Sequence, residues 1–166
     1  LKKKLWLTLL LVAIIVGGVY FFITFDPPLE IGTLASSKDH KSVVVGMGNK
    51  GLGEVKIVDV SVNNNEKPSN TKIQVSNALQ GFIITNDYTQ EEEKEFGFTN
   101  IDDVVIRKGT APSTTYKKLD DGIATKDDEI YGISVFHSEE IQKVHIKYSY
   151  LGILFHDTVI FKMATR

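Results

Sequence analysis

The chain of 166 residues contains no cysteine. No disulfide can staple it, so any exported domain must rely on its hydrophobic core. The same absence removes three kinds of chemistry. Sortase-type enzymes need a cysteine nucleophile, thioredoxin-like exchange needs Cys-x-x-Cys, and lipoprotein anchoring needs a cysteine to carry the lipid. Acidic residues are missing from the first 25 positions, which excludes a type IV pilin start with its early glutamate. The two methionines, Met47 and Met163, have no serine two residues before them, so the Ser-x-Met motif of signal peptidases is lacking. A basic stripe of the kind that follows a nucleic-acid backbone is absent too.

What is present begins with an uncharged run, Leu5 to Phe25, preceded by Lys2, Lys3 and Lys4. As a helix this run rises about 31 Å, close to the ~30 Å hydrocarbon core of a bilayer. It is longer than a secretory h-region, and no small-x-small cleavage site follows it, so a retained signal-anchor is expected. Trp6, Tyr20 and Phe25 lie near its two ends, where aromatic rings suit the headgroup boundary. The lysines place the N-terminus on the cytoplasmic side and everything after Asp26 outside. All 21 acids follow residue 25, against 16 of the 19 bases, which leaves the outer part near −5. The expected organisation is a cytoplasmic tail (1–4), a transmembrane helix (5–25), a spacer opened by Pro27-Pro28 (26–42) and an extracytoplasmic domain (43–166).

Within that domain the hydrophobic period is two. Ser42 to Met47, Glu54 to Val62, Thr71 to Ser76, Gly81 to Thr85, Ile101 to Ile106 and Glu129 to Phe136 read as strands. Val55 and Ile57 fall out of phase with Val60 and Val62, which points to a bulge. Gly46, Gly48, Gly51 and Gly53 are expected to break regular structure, and Arg107 to Lys126 to form a loop. Thr89 and Glu92 have capping-box spacing, so Gln90 to Phe96 is expected as one short helix. His137 to Gln142 reads as a polar corner with one helical turn. The last forty residues hold a hairpin, Val144 to Tyr150 and Leu154 to Lys162. A three-residue loop would set Lys147 opposite Asp157 and Tyr148 opposite His156. Seven or eight short strands with one short helix predict a mainly β fold. The expected form is an immunoglobulin- or fibronectin-like antiparallel β-sandwich after an N-terminal transmembrane helix.

Candidate chemistry is sparse. Gly46-Met47-Gly48-Asn49-Lys50-Gly51 matches G-x-G-x-x-G, but valine-rich strand residues follow it where a dinucleotide site needs a helix. Asp120, Asp121, Asp127 and Asp128 cluster around one loop and are the candidate calcium ligands, since Ca²⁺ takes six to eight oxygens. His145 and His156 fall on opposite faces in the expected register, which argues against a shared metal. Tyr148, Tyr150, Phe155 and Phe161 are expected in or beside the core. No elbow or triad motif supports a nucleophile.

Ile130 to Phe161 (IYGISVFHSEEIQKVHIKYSYLGILFHDTVIF) and Thr71 to Tyr88 (TKIQVSNALQGFIITNDY) resemble a group of uncharacterised, small membrane-anchored proteins of Gram-positive bacteria with an immunoglobulin-like outer domain. The resemblance implies a surface-facing location and carries no functional residues. Leu1 in place of methionine fits a truncated or processed end, or a leucine-type start codon, and tilts the expectation to a bacterium. The functional expectation is a non-enzymatic, membrane-anchored binding module without a cofactor. Its partners are membrane lipid, through the helix, and an envelope protein or the cell wall, not nucleic acid. The alternative is a calcium-binding or hydrolytic envelope domain using the loop carboxylates.

Overall fold

A computed structural model describes residues 2–85 and 94–161. Helix α1, Lys2–Phe25, runs without interruption through the uncharged segment. Thr8 and Thr24 return their hydroxyls to the carbonyls of Lys4 and Tyr20, which satisfies the few polar groups on an apolar helix. Near its end Ile23 packs against the core of the following domain.

Eight strands are described: β1 Leu29–Ser36, β2 Ser42–Asn49, β3 Val55–Val62, β4 Asn70–Asn77, β5 Phe98–Thr99, β6 Glu129–Phe136, β7 Lys143–Tyr150 and β8 Ile153–Ile160. They form two antiparallel sheets, one in the order β1-β2-β6-β4-β5 and the other β3-β7-β8. The arrangement is sandwich-like. Val43, Val45, Ile73, Ile133 and Val135 from the larger sheet share one core with Val55, Ile57, Val62, Ile146 and Tyr148 from the smaller. Alternation supplies this core directly: in β7, Val144, Ile146, Tyr148 and Tyr150 are buried, while the residues between them are not. Tyr150 and Phe161 are buried as expected, and Phe155 stacks on Tyr148 with ring centroids 5.3 Å apart.

The bulge in β3 is present. Ile57 pairs with Tyr148 and Asp59 with Lys147, so Val58 has no partner and turns outward. The extra residue lets Val55 and Ile57 share the inner face with Val60 and Val62 despite their opposite phase.

Several expectations are corrected. Residues 26–42 are not only a spacer, because β1 occupies Leu29–Ser36 and forms the edge of the larger sheet. Gly46 and Gly48 do not break β2 but lie within it. Gly81 to Thr85 is not a strand. The buried Gln74 amide donates to the Ile83 carbonyl at 2.7 Å and accepts from the Ile83 N–H at 3.1 Å, standing in for ladder bonds. Ile101–Asp103 is a 3-10 turn, and only an isolated bridge between Val55 and Ile106 follows it. The expected 107–126 loop contains a helix, α2, Pro112–Asp120. Residues 137–142 form no helical turn. The expected Gln90 to Phe96 helix lies mostly outside the described residues; Lys94 and Glu95, at its end, are helical.

The hairpin register also differs. Tyr150 pairs with Ile153, which leaves a two-residue loop and sets Lys147 opposite His156 and Tyr148 opposite Phe155. Leu151 has φ 49° and Gly152 φ 80°, the two positive values of a type I′ turn. Such turns match the twist of the strands, and that preference outweighs one exposed charge pair. In this register His145 and His156 lie on the same outer face, not on opposite ones. Both ring nitrogens of His145 are engaged, by Thr158 Oγ1 at 3.0 Å and the Asn63 carbonyl at 2.8 Å.

Candidate functional site

The G-x-G-x-x-G segment makes a structural junction. Gly48 is required because a Cβ there would lie 1.9 Å from the Thr110 carbonyl oxygen. Asn49, fully buried, donates from its amide to the carbonyls of Gly53 (2.7 Å) and Ile106 (3.0 Å) and accepts from the Gly51 N–H (2.8 Å). Those bonds fold residues 50–53 back on β2, and no helix opens there to face a pyrophosphate.

The close approach of Thr110 to Gly48 sets α2 against the outer face of the larger sheet. Pro112 occupies the first turn of α2, where a missing N–H costs nothing. Ala111 offers no side-chain cap, and the cap comes instead from β1: Glu30 accepts from the Ser113 N–H at 2.8 Å and from its hydroxyl at 3.1 Å. Gly32 leaves room for Pro112, whose Cβ would lie 2.6 Å from an added methyl. On the other side the segment from Ala78 to Ile84 crosses the same sheet face. Gly46 and Gly132 pair in register, and the Phe82 ring lies on both, within 3.0 and 2.9 Å of where their Cβ atoms would be.

Between α2 and Phe82 lies an apolar cleft of about 240 Å³. Val44, Gly46 and Ile130 contribute to its floor, Phe82 to one wall and Tyr116 and Leu119 to the other. Its described lining has no charged side chain. At the rim the Thr33 and Tyr116 hydroxyls are 2.8 Å apart, a polar pair beside an apolar slot. Tyr116 and Leu119 stay 43% and 41% exposed, so the helix side is open to an incoming group. The arrangement can hold an apolar moiety and give one hydrogen bond at its edge.

Known protein families, characterised proteins and solved structures give no match to this chain.

Of the four loop carboxylates, Asp128 has another occupation. Asp128 pairs with Lys118 and accepts from the Thr125 N–H at 2.7 Å and hydroxyl at 3.1 Å, tying the end of α2 to the start of β6. The Lys118 ammonium, helped by the Thr125 N–H, holds its carboxyl below the usual carboxylate value. Asp121 is the C-cap of α2, and Asp120 and Asp127 are exposed. Asp127 and Asp128 share a surface depression with Arg107, Lys108 and Lys118, cations that oppose a calcium ion. Among the described residues no group of three or more His, Cys, Asp or Glu is placed to hold a metal. Arg107 pairs with Glu129 at 3.2 Å, and Glu129 accepts from the Tyr131 hydroxyl at 2.7 Å. Burial first, then that carboxylate, pushes the Tyr131 phenol up to about 12.

The residues expected to anchor the chain lie on α1, whose lysines open the helix. Trp6, Tyr20 and Phe25 point outward at 73%, 56% and 81% exposure. Sequence reasoning missed Phe82, Tyr116 and Leu119 as cleft residues. The available signal for α2 was Pro112 at a helix start, Lys117 and Lys118 in a last turn and Gly122 beyond it. No sequence pattern sets Phe82 on two glycines that lie far from it in the chain.

Proposed function

We propose that this chain is a single-pass membrane protein that displays a non-enzymatic, immunoglobulin-like β-sandwich outside a bacterial cell, as a binding module for an apolar group of an envelope partner. The N-terminus is cytoplasmic, and the ligand site is the cleft between α2 and Phe82. The observation that carries the binding reading is the cleft's composition: an apolar slot with a hydroxyl pair at its rim, framed by a strand-borne helix cap on one side and a glycine-seated ring on the other.

The anchor reading is supported by α1 itself. Fourteen large apolar side chains between Leu5 and Phe25 are exposed, far more than a water-facing helix tolerates. Composition and length suit a span, and the three lysines favour an N-in orientation. The immunoglobulin-like assignment is supported by two antiparallel sheets of short strands between which the chain crosses at β2–β3, β3–β4 and β6–β7. In this reading the loop acids of 120–128 are structural and solvent-facing.

Site-specific photo-crosslinking in intact membranes tests the binding site. A photoreactive residue at Tyr116 is expected to give one discrete adduct that is lost when Ala35→Trp fills the slot. The same residue at exposed Lys38, at the far end of the domain, is expected to give none. Equal labelling from both positions would overturn the assignment. An enzyme reporter fused after Arg166 tests topology: activity only in the cytoplasm would reverse the orientation.

A further inference from the structure

At the end of the sandwich where α1 enters, two loop tips flank the helix. One is Gly51-Leu52-Gly53, between β2 and β3; the other is the Leu151-Gly152 turn, between β7 and β8. Leu52 is 90% exposed and Leu151 is 62% exposed. The two tips touch each other, since a Cβ on Gly53 would lie 3.1 Å from Leu151 Cδ2. Tyr150 pins them together: its hydroxyl oxygen accepts from the Leu52 N–H at 2.9 Å and the Gly53 N–H at 3.3 Å.

The tips share an open cleft of about 700 Å³ with the last two turns of α1, including Gly18, Val19 and Ile23. Gly18 lies seven residues before Phe25, about 10 Å along a helix. The apolar run and the hydrocarbon core have nearly the same length, about 31 and ~30 Å, so a spanning α1 has little slack along its axis. Side chains level with Val19 and Ile23 therefore stand at the outer boundary of the hydrocarbon, not in bulk water. The two charged groups lining this cleft, Asp26 and Lys50, pair with each other, which removes net charge there.

The residue choice at the turn is a separate observation. The first position of a type I′ turn favours Asn, Asp or Gly, because φ is positive there. Leu151 holds φ 49° with its side chain in the open. Beyond its touch on Gly53, an apolar residue this exposed in a left-handed conformation adds little to the core and leaves surface for a contact elsewhere.

We propose that Leu52 and Leu151 form a second membrane contact, two adjacent loop tips that dip into the outer boundary of a phospholipid bilayer beside α1 and fix how the β-sandwich stands on the membrane. The proposal rests on the reading of α1 as a membrane span. It commits to lipid as the occupant of the cleft, because apolar residues of α1 and of the two tips line it together and its one pair of charges is mutually neutralised.

The absence of cysteine makes the test direct. Leu52→Cys, Leu151→Cys, Val12→Cys and Glu139→Cys variants of the full chain each take one fluorophore and are reconstituted in phosphatidylcholine–phosphatidylglycerol vesicles. A nitroxide on the lipid acyl chain near the headgroup serves as quencher. Expected is strong quenching at 52 and 151, together with protection from iodide, and neither effect at Glu139 on the opposite end. Quenching at Val12 by a nitroxide placed deep in the chain reports the span independently. If Val12 is quenched but 52 and 151 behave like 139, the tips stay in water and the inference fails while the anchor stands. If Val12 also stays in water, the anchor reading fails and the inference falls with it.

Discussion

The seat of Phe82 on the larger sheet decides whether the cleft has a wall, and a double-mutant cycle measures it. Gly132→Ala places a methyl 2.9 Å from Phe82 Cε1 and 3.2 Å from Val44 Cγ1. The ring must lift, at a cost of about 1–3 kcal/mol, the usual range for overpacking. A fully buried phenylalanine loses about 3–5 kcal/mol when cut to alanine; Phe82 is half-buried, so about 2 kcal/mol is expected. In the Phe82→Ala background the clash is gone, and only Val44 must yield by a few tenths of an ångström. There alanine improves on glycine in a strand by about 0.5–1 kcal/mol. Gly132→Ala should therefore change sign between the two backgrounds, with a coupling of about 1.5–4 kcal/mol. The assay is urea unfolding of the full chain in a mild detergent, followed by tyrosine near-ultraviolet circular dichroism. Tryptophan emission is unsuitable, because Trp6 lies in α1 outside the sandwich. A shift in midpoint with an unchanged slope reads as stability. If the two substitutions add within about 0.5 kcal/mol, Phe82 does not rest on Gly132 and the cleft loses that wall.

Three further outcomes are expected. Leu151→Asn relieves a side chain held at φ 49° and should stabilise the domain by about 1 kcal/mol, read as a higher thermal midpoint; no rise would place the turn in another type. Asn49→Ala takes away the side-chain partners of the Gly53 carbonyl and the Gly51 N–H, while the Ile106 carbonyl keeps the Val55 N–H; the cost is about 2–4 kcal/mol in denaturant unfolding, and a loss under about 1 kcal/mol would sink the junction role. Asp128 has its folded pKa below the ordinary 3.8, so the unfolded state binds more protons just under that pH. Its contribution is complete above 3.8 and fades as pH falls through the folded value. Asp128→Asn should flatten the stability–pH curve below pH 3.8, and an unchanged acid limb would show that the Lys118 contact is idle.

The main strands were legible from the sequence: β6 and the alternating inner face of β7 lie where the pattern set them, and the out-of-phase Val55 and Ile57 announced the bulge. The misread segments share one cause, which is that a distant residue replaces a local rule. Gly46 and Gly48 look like breakers, yet they stay in β2 because Phe82 and Thr110 need the space where their side chains would be. Gly81 to Thr85 looks like a strand, but the Gln74 side chain takes the bonds that a neighbouring strand would supply. Helix α2 was hidden because Ala111 offers no cap and Glu30, eighty-three residues before Ser113, provides it. The cleft follows from these same long-range contacts, so it was invisible as a site.

By itself the sequence determined the apolar helix, the two-residue period of the main strands and the lack of any disulfide or cysteine chemistry, because each depends on composition or on neighbours a few residues apart. Only the tertiary structure decided the rest. Packing brought Gly46, Gly132 and Phe82 together, turned Asp128 from a candidate ligand into a tie for α2, and chose the hairpin register by the twist of its strands over one exposed charge pair. It also set Leu52 and Leu151 beside the end of α1, a juxtaposition of residues about a hundred positions apart that exists only once both sheets have formed.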